Sequence, residues 1–317
     1  MIQISYTVSP FLTRFLDRAE VARKAIILSP LSQRREIELQ FESTIQRIDL
    51  SLQLIHKSVP DKTIRTILSN QIAFAMQKSP KKNNPEQQFI LGYKHAFDLI
   101  RRNWHLNPES VLPKHIKSLC NEFVLHECAL TEKQVRITIE TVQSTSDNPY
   151  IQTAIAKLLF RDLFKDEPHG ETFSTLCAYL FLYKGGIEAR GAAILEQAWI
   201  QDTKLFEGHY ATALARGNLT SWIEYFVKSY ALALEEIQQG IFRGHHPSDL
   251  GELSKLNERQ KTIITLLDDP QAMITNRTVQ KIFHISQITA SRDLAKLTSL
   301  GLLIPQGKGR SVRYTRL

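Results

Sequence analysis

Residues Ile151 to Gly186, IQTAIAKLLFRDLFKDEPHGETFSTLCAYLFLYKGG, decide how the rest of the chain is read. Two apolar-periodic runs flank the polar segment DEPHGE, where Pro168 and Gly170 break the pattern, so the stretch predicts helix, tight loop, helix. The second run carries Phe173, Leu176, Cys177, Tyr179, Leu180, Phe181 and Leu182 with almost no polar face, which predicts a helix buried nearly all round. A loop pinned between two such helices is a natural place for chemistry.

This helix–loop–helix resembles the active-site segment of the Fic (Fido) family, whose motif H-P-F-x-x-G-N-G-R lies between two helices. The resemblance extends outward along the chain. ARGAA at 189–193 and the tract from Asp202 to Ala215 are similar to the family's R-G-L-L and R-x-x-Y-Y-x-A-L segments. GNLTSWIEYF at 217–226 follows the element G-D-L-T-P-W-L-E-F-F, and GYKHAF at 92–97 sits where the family has N-Y-x-x-A-L. The resemblance implies a mainly α-helical fold with a small β flap, and transfer of AMP from Mg-ATP to a protein hydroxyl. The catalytic motif itself is lost. One register sets LFKDEPHGE, residues 163–171, on the motif, so that Leu163 replaces its His and Glu171 its Arg; one residue later, Phe164 and Thr172 do so. Neither restores a catalytic site.

The same conclusion follows from electrostatics. A nucleotide loop works because the free N–H groups and dipole of a helix N-terminus attract phosphate, usually with an arginine fork. Here the loop carries Asp166, Glu167 and Glu171, which repel a triphosphate and suit helix capping instead. Deprotonating an acceptor hydroxyl needs a base of near-neutral pKa. His169 is the only imidazole in the loop and the one candidate for a displaced base. Many Fic proteins also carry an inhibitory helix, S/T-x-x-x-E-G/N, whose Glu pairs with the active-site Arg. The nearest match is ESTIQR, residues 42–47, with Ser43 and Gln46 as its remnant: Gln46 stands at the Glu position and Arg47 at the Gly. Brake and arginine are then lost together.

With 317 residues, 43% hydrophobic and 23% charged, the chain has the composition of a soluble globular protein long enough for two domains. Its net charge of +8 favours an acidic partner, and residues 256–317, with ten Lys or Arg against four Asp or Glu, hold most of that excess. Cys120, Cys128 and Cys177 form no C-x-x-C pair, which suggests reduced thiols and a cytoplasmic location. No signal peptide is read at MIQISYTVSPF, and no apolar run is long enough to span a membrane.

Taken in order, residues 1–30 predict one helix packed through Phe11, Phe15, Val21 and Ile26. A second follows with Ile37, Phe41, Ile45, Ile48 and Leu52 as its stripe, and Ile90, Tyr93, Phe97 and Ile100 define another. The polar loop 78–85 reads as solvated, and a further helix is expected over 113–128. The β-branched run VRITIETVQST at 135–145 predicts a strand or short hairpin, although a plain connector fits the same residues. In the resembled family this neighbourhood is a flap that docks a target peptide, so residues 134–145 are a candidate protein-partner surface. A long helix over 217–240, with Trp222, Phe226, Tyr230 and Leu234 at spacings of four, closes a Fic-like domain of residues 1–246. His245 and His246 in the following linker lack a third ligand, HEC at 126–128 lacks the second His of a zinc protease, and no metal is expected.

Residues 254–317 resemble a winged helix-turn-helix. Asn257 and Thr275 are placed to cap helices over 258–267 and 276–283, and Ser286 starts a third whose buried face is Ala290, Leu294 and Leu297. That leaves Gln287, Thr289, Ser291 and Arg292 facing outward with Ser286, a set suited to base edges in the major groove. Strands at 302–304 and 312–314 form a wing in which Lys308, Arg310 and Arg313 neutralise phosphates. The competing use of such a module is protein contact. Together these features point to a DNA-binding transcriptional regulator, a homodimer on palindromic sites, whose degenerate Fic core senses or dimerises and needs no cofactor. An atypical Fic transferase using Mg2+ and ATP is the alternative, and an antitoxin-like partner of an active Fic protein a third reading.

Overall fold

A computed structural model describes residues 4–31, 33–69, 85–104, 110–123, 131–167, 169–242, 256–267, 272–299, 302–307 and 312–316. The chain divides into two compact units, Met1–Gln239 and Gly240–Leu317. Helices dominate, and the strands described form one three-stranded sheet near the C-terminus.

The first unit is assembled around α7 (Pro149–Leu163) and α8 (Gly170–Lys184), whose mutual packing is the most extensive of any pair of elements. Asn148 caps α7 by accepting from the backbone of Tyr150 and Ile151, and Pro149 occupies the first turn, where its missing N–H costs nothing. In α8 every residue except Glu171 and Lys184 is buried. Around this pair lie α1 (Pro10–Leu28), α2 (Gln33–Leu54), α3 (Asp61–Ser69), α4 (Pro85–Trp104), α5 (Pro113–Glu122) and α6 (Glu132–Thr145). Behind them follow α9 (Glu196–Gln201), α10 (Thr203–Arg216) and α11 (Thr220–Phe242). Ile90, Tyr93, Phe97 and Ile100 of α4 are all buried, as are Trp222, Phe226, Tyr230 and Leu234 of α11. Gly217 ends α10 at φ 65°, the left-handed conformation that favours glycine at a helix C-terminus.

Three expectations from the sequence are corrected. Residues 132–145 are helical rather than a strand or hairpin: Thr131 and Gln134 form a capping box, and Val135, Ile139 and Val142 bury one face at spacings of four and three. No β flap therefore stands at 134–145, and the small sheet belongs to the second unit. In α1 the buried stripe is Leu12, Phe15, Ala19, Ala22 and Ile26, while Phe11 and Val21 lie on the exposed side, because the alanines mark the packed face. Ile37 likewise faces outward from the first turns of α2.

The edge of the first unit formed by α1 and α7 is held by Glu20, which accepts from both Nε and Nη2 of Arg23 at 2.8 Å and from the Tyr150 hydroxyl at 2.8 Å. The hydrogen bonds from Arg23 outweigh partial burial and hold the Glu20 carboxyl down to about 2 from an ordinary 4.5. A depressed carboxylate pKa contributes stability that is complete above 4.5 and disappears as pH falls through 2. Stability followed by denaturant midpoint should therefore fall across that window, and Glu20→Gln should flatten the fall. An unchanged slope would remove this contact from the account.

In the second unit α12 (Glu258–Thr265) begins at Asn257, which accepts from the backbone of Gln260 while the Gln260 side chain returns the bond. Thr275 caps α13 (Asn276–Phe283), and His284, at φ 50°, ends it before α14 (Gln287–Ser299). Strands β1 (Ile274–Thr275), β2 (Leu303–Gln306) and β3 (Arg313–Arg316) pair antiparallel in the order β1-β3-β2. Ile263, Ile274, Val279, Ala290, Leu294, Leu297 and Leu303 fill the core between helices and sheet. Asp293, nearly buried on α14, accepts from Arg259 Nε at 2.6 Å and Gln260 Nε2 at 2.7 Å, tying α14 to α12.

Candidate functional site

The loop at 164–169 is shaped by packing. Phe164 caps α7 and is fully buried, meeting Phe173 edge-on at 4.5 Å and stacking on Phe160. Its carbonyl oxygen lies so close to Gly170 that a Cβ there would stand 1.9 Å away, so only glycine lets α8 start at this point. His169 takes the left-handed conformation, φ 62°, immediately before that glycine. Its half-buried ring meets the rings of Phe89 and Phe123 edge-on, at 5.4 and 6.1 Å. Burial lowers the His169 pKa, and the charge of Lys57 lowers it further. No described residue hydrogen-bonds this ring, so among the described residues no hydrogen bond fixes its tautomer as a base requires.

Glu171, in the first turn of α8, is where the loop's electrostatics are settled. Its Oε1 accepts from Lys157 Nζ at 2.6 Å and its Oε2 from Arg161 Nε. Lys157 is wholly buried on α7, within 2.7 Å of Ser174 Oγ and 2.9 Å of Thr175 Oγ1, with its ammonium 4.8 Å from the centre of the Trp199 ring. Burial pushes the lysine pKa below its ordinary value, against the pull of Glu171. Burial also pushes Glu171 up, but the two cations prevail and hold it below the usual carboxylate range. Arg161 continues outward to Glu207 at 2.6 Å and lies 4.0 Å from the Tyr210 ring centre. Thus the positive end of α8 and both nearby cations are neutralised by carboxylates of the chain itself, and an incoming phosphate would have to displace Glu171.

In the other register, Phe164 is a core side chain, and the Thr172 hydroxyl is buried without a partner among the described residues. Leu163, half-buried, ends α7. The structure therefore presents neither base nor arginine at these positions in either alignment.

Across α8 lies a second polar cluster that the sequence did not reveal. Arg47, buried in α2, donates through Nε to Ala193 O at 3.0 Å and through Nη2 to Gly191 O and Ala193 O at 2.5 and 2.6 Å. Its guanidinium lies 4.4 Å from the Phe97 ring centre. The Tyr179 hydroxyl, 3.2 Å from Arg47 Nε, donates to Glu196 Oε2 at 2.8 Å, and Tyr93 and Ser51 donate to Glu196 Oε1 at 3.0 and 3.2 Å. Burial drives both tyrosines well above their ordinary pKa. Glu196 also favours the charged form of Lys157, so Arg47, Glu196, Lys157, Glu171, Arg161 and Glu207 alternate in sign from the core to the surface. Of the residues aligned with the inhibitory helix, Ser43 and Gln46 take no part in charge pairing: Ser43 is buried and donates to Leu39 O at 2.7 Å, while Gln46 is exposed; Glu42 of the same stretch pairs with Arg65 at 2.6 Å.

In the second unit, the five residues expected to face outward on α14 divide into two groups. Ser286 Oγ accepts from the Thr289 backbone at 3.3 Å and pairs with its hydroxyl at 3.0 Å, and Ser291 Oγ accepts from Asn276 at 2.8 Å. Gln287 and Arg292 are exposed, and their side chains bond to no described residue. Ile288, which the sequence reading placed on neither face, lies beside them 67% exposed. Arg313 is exposed on β3; Lys308 and Arg310 lie outside the described residues, as do the linker histidines, His126, Cys128 and the loop 78–84. Among the described residues no cluster of His, Cys, Asp and Glu is arranged to hold a metal, and no helix is long and apolar enough to cross a membrane.

A helical unit built on a buried central helix and the short loop at its N-terminus, followed by a small unit whose described residues form helices α12 to α14 and a three-stranded sheet, gives the chain a Fic-like, mainly helical fold. It is similar to the crystal structure of a Fic family protein from Desulfovibrio desulfuricans G20, with a TM-score of 0.60 and 12% identity, over 99% of this chain and 98% of that one. At that identity the likeness is one of fold. No protein-family model matches the sequence, and no curated protein matches it.

Proposed function

We propose that this chain is a cytoplasmic DNA-binding regulator of transcription, in which the Fic-like unit has no transferase activity and serves as a sensing or dimerisation scaffold. The observation that carries the reading is the outward face of α14, where Gln287 and Arg292 are exposed and bond to no described residue, together with a β ribbon bearing Arg313, in the segment that holds most of the positive charge. Glu171 supports the second half of the reading, since it occupies the phosphate-attracting end of α8 with its own ion pairs. A winged helix of this kind binds two-fold symmetric sites as a dimer, and we take a homodimer as the acting form.

The test is selection of bound duplexes from a random-sequence pool with the full-length protein. Enrichment of a sequence is expected, with about a tenfold or greater loss on Arg292→Ala, equivalent to ~1–3 kcal/mol for a base contact. Arg313→Ala should weaken all duplexes alike and make the salt dependence shallower by about one unit of slope. Absence of any enriched duplex would defeat the reading.

One observation favours a second reading, an atypical transferase: burial lowers the pKa of His169 and so favours the unprotonated form that a general base requires. Incubation with Mg2+, labelled ATP and cell lysate decides between them. Label transfer that disappears in His169→Ala would establish the enzyme; no transfer and no nucleotide binding is the expected result.

A further inference from the structure

The free face of α14 contains an aliphatic side chain where a polar one would be expected. Ile288 is the second residue of the helix and is 67% exposed, although the same unit buries Ile263 and Ile274 almost completely. Its position matters more than its exposure, since single exposed aliphatics are ordinary on protein surfaces. The first turn of such a helix is the part that reaches base edges in the major groove. Ile288 stands between the two side chains of that turn and the next which bond to no described residue, Gln287 and Arg292, the latter one helical turn along the same face. The neighbouring hydroxyls are withdrawn: Ser286 and Thr289 bond to each other, and Ser291 to Asn276. Of the groups a major groove presents, only the 5-methyl of thymine offers an aliphatic side chain a surface to cover; the others are hydrogen-bonding atoms that it would desolvate without compensation.

We propose that Ile288 determines specificity by seating against the 5-methyl group of a thymine in the major groove. The inference rests on the DNA-binding reading above and names what the helix recognises. Duplexes enriched by the full-length protein share a thymine at a fixed position, and resynthesis with deoxyuridine at that position alone removes the methyl while leaving every hydrogen-bonding group in place. The wild type should lose about fourfold in affinity on that change, the value of one methyl-sized apolar contact. Ile288→Ala, which removes nothing from the core, should bind the thymine duplex more weakly than the wild type and the thymine and uracil duplexes equally. If the wild type is indifferent to deoxyuridine at every position, if the variant still discriminates, or if enriched duplexes share no thymine, the proposal is overturned while DNA binding stands. If nothing is enriched, both fall.

Discussion

Glu171→Arg, which places an arginine where one alignment sets that of the Fic motif, should unfold the first unit rather than confer transferase activity. Lys157 is wholly buried, and among the described residues Glu171 is its only carboxylate partner within hydrogen-bonding distance. Removing one member of a buried pair costs about 3–5 kcal/mol, because the other charge is left without compensation. An arginine would add a third cation next to Lys157 and Arg161, so the loss should exceed that range and approach the 5–15 kcal/mol that ordinarily holds a domain together. Glu171→Gln keeps an acceptor for Lys157 and should cost about 1–3 kcal/mol. A Lys157→Met, Glu171→Gln double variant should recover part of the loss, since a neutral pair of similar volume avoids burying charge at all. Denaturant midpoints give these values directly. A Glu171→Arg protein within about 1 kcal/mol of the wild type would show that Lys157 finds another partner, and the closed-loop account would fail with it.

Arg47→Ala is the second substitution expected to be severe. It deletes four hydrogen bonds, to Tyr179 and the carbonyls of Gly191 and Ala193, and empties the space over the Phe97 ring. It also leaves Glu196, fully buried, without the cation across Tyr179. A loss of about 3–5 kcal/mol follows from the orphaned carboxylate, with a cavity term added. Arg47→Met fills most of that volume and should cost less. If the two charges sense each other through Tyr179, combining Arg47→Met with Glu196→Gln should cost at least about 1 kcal/mol less than the sum of the single changes. Strict additivity would mean that the cluster is a set of separate contacts.

These clusters explain why the fold was more legible than the site. The hairpin of α7 and α8, the stripe of α4 and the caps at Asn257 and Thr275 are local patterns, and local patterns can be read from one sequence. The strand reading of 134–145 failed because β-branched content was weighed above the spacing of Val135, Ile139 and Val142, which is helical. Phe11 and Val21 misled in α1 because small alanines, not the largest apolar residues, mark its packed face. Arg47, Glu196 and Lys157 come from separate elements, and no spacing announces their meeting. Lys157 did leave one trace, as the lone charge inside the apolar run IQTAIAKLLF. A cation there must be buried or break the helix, and burial requires an anion. Glu171 was the nearest one on the following helix.

The burial of α8 on every side has a consequence for how any signal could pass through this unit. Its amide protons have no route to bulk water short of opening the surrounding helices, so they should exchange on the slowest timescale of the unit. An element enclosed in this way cannot fray, slide or ratchet by itself: each displacement would require its neighbours to repack at crystalline density. It behaves as a fixed pillar. A conformational response to an effector would then be carried by the more exposed helices at the periphery, such as α3 and α10, moving against a centre that stays still.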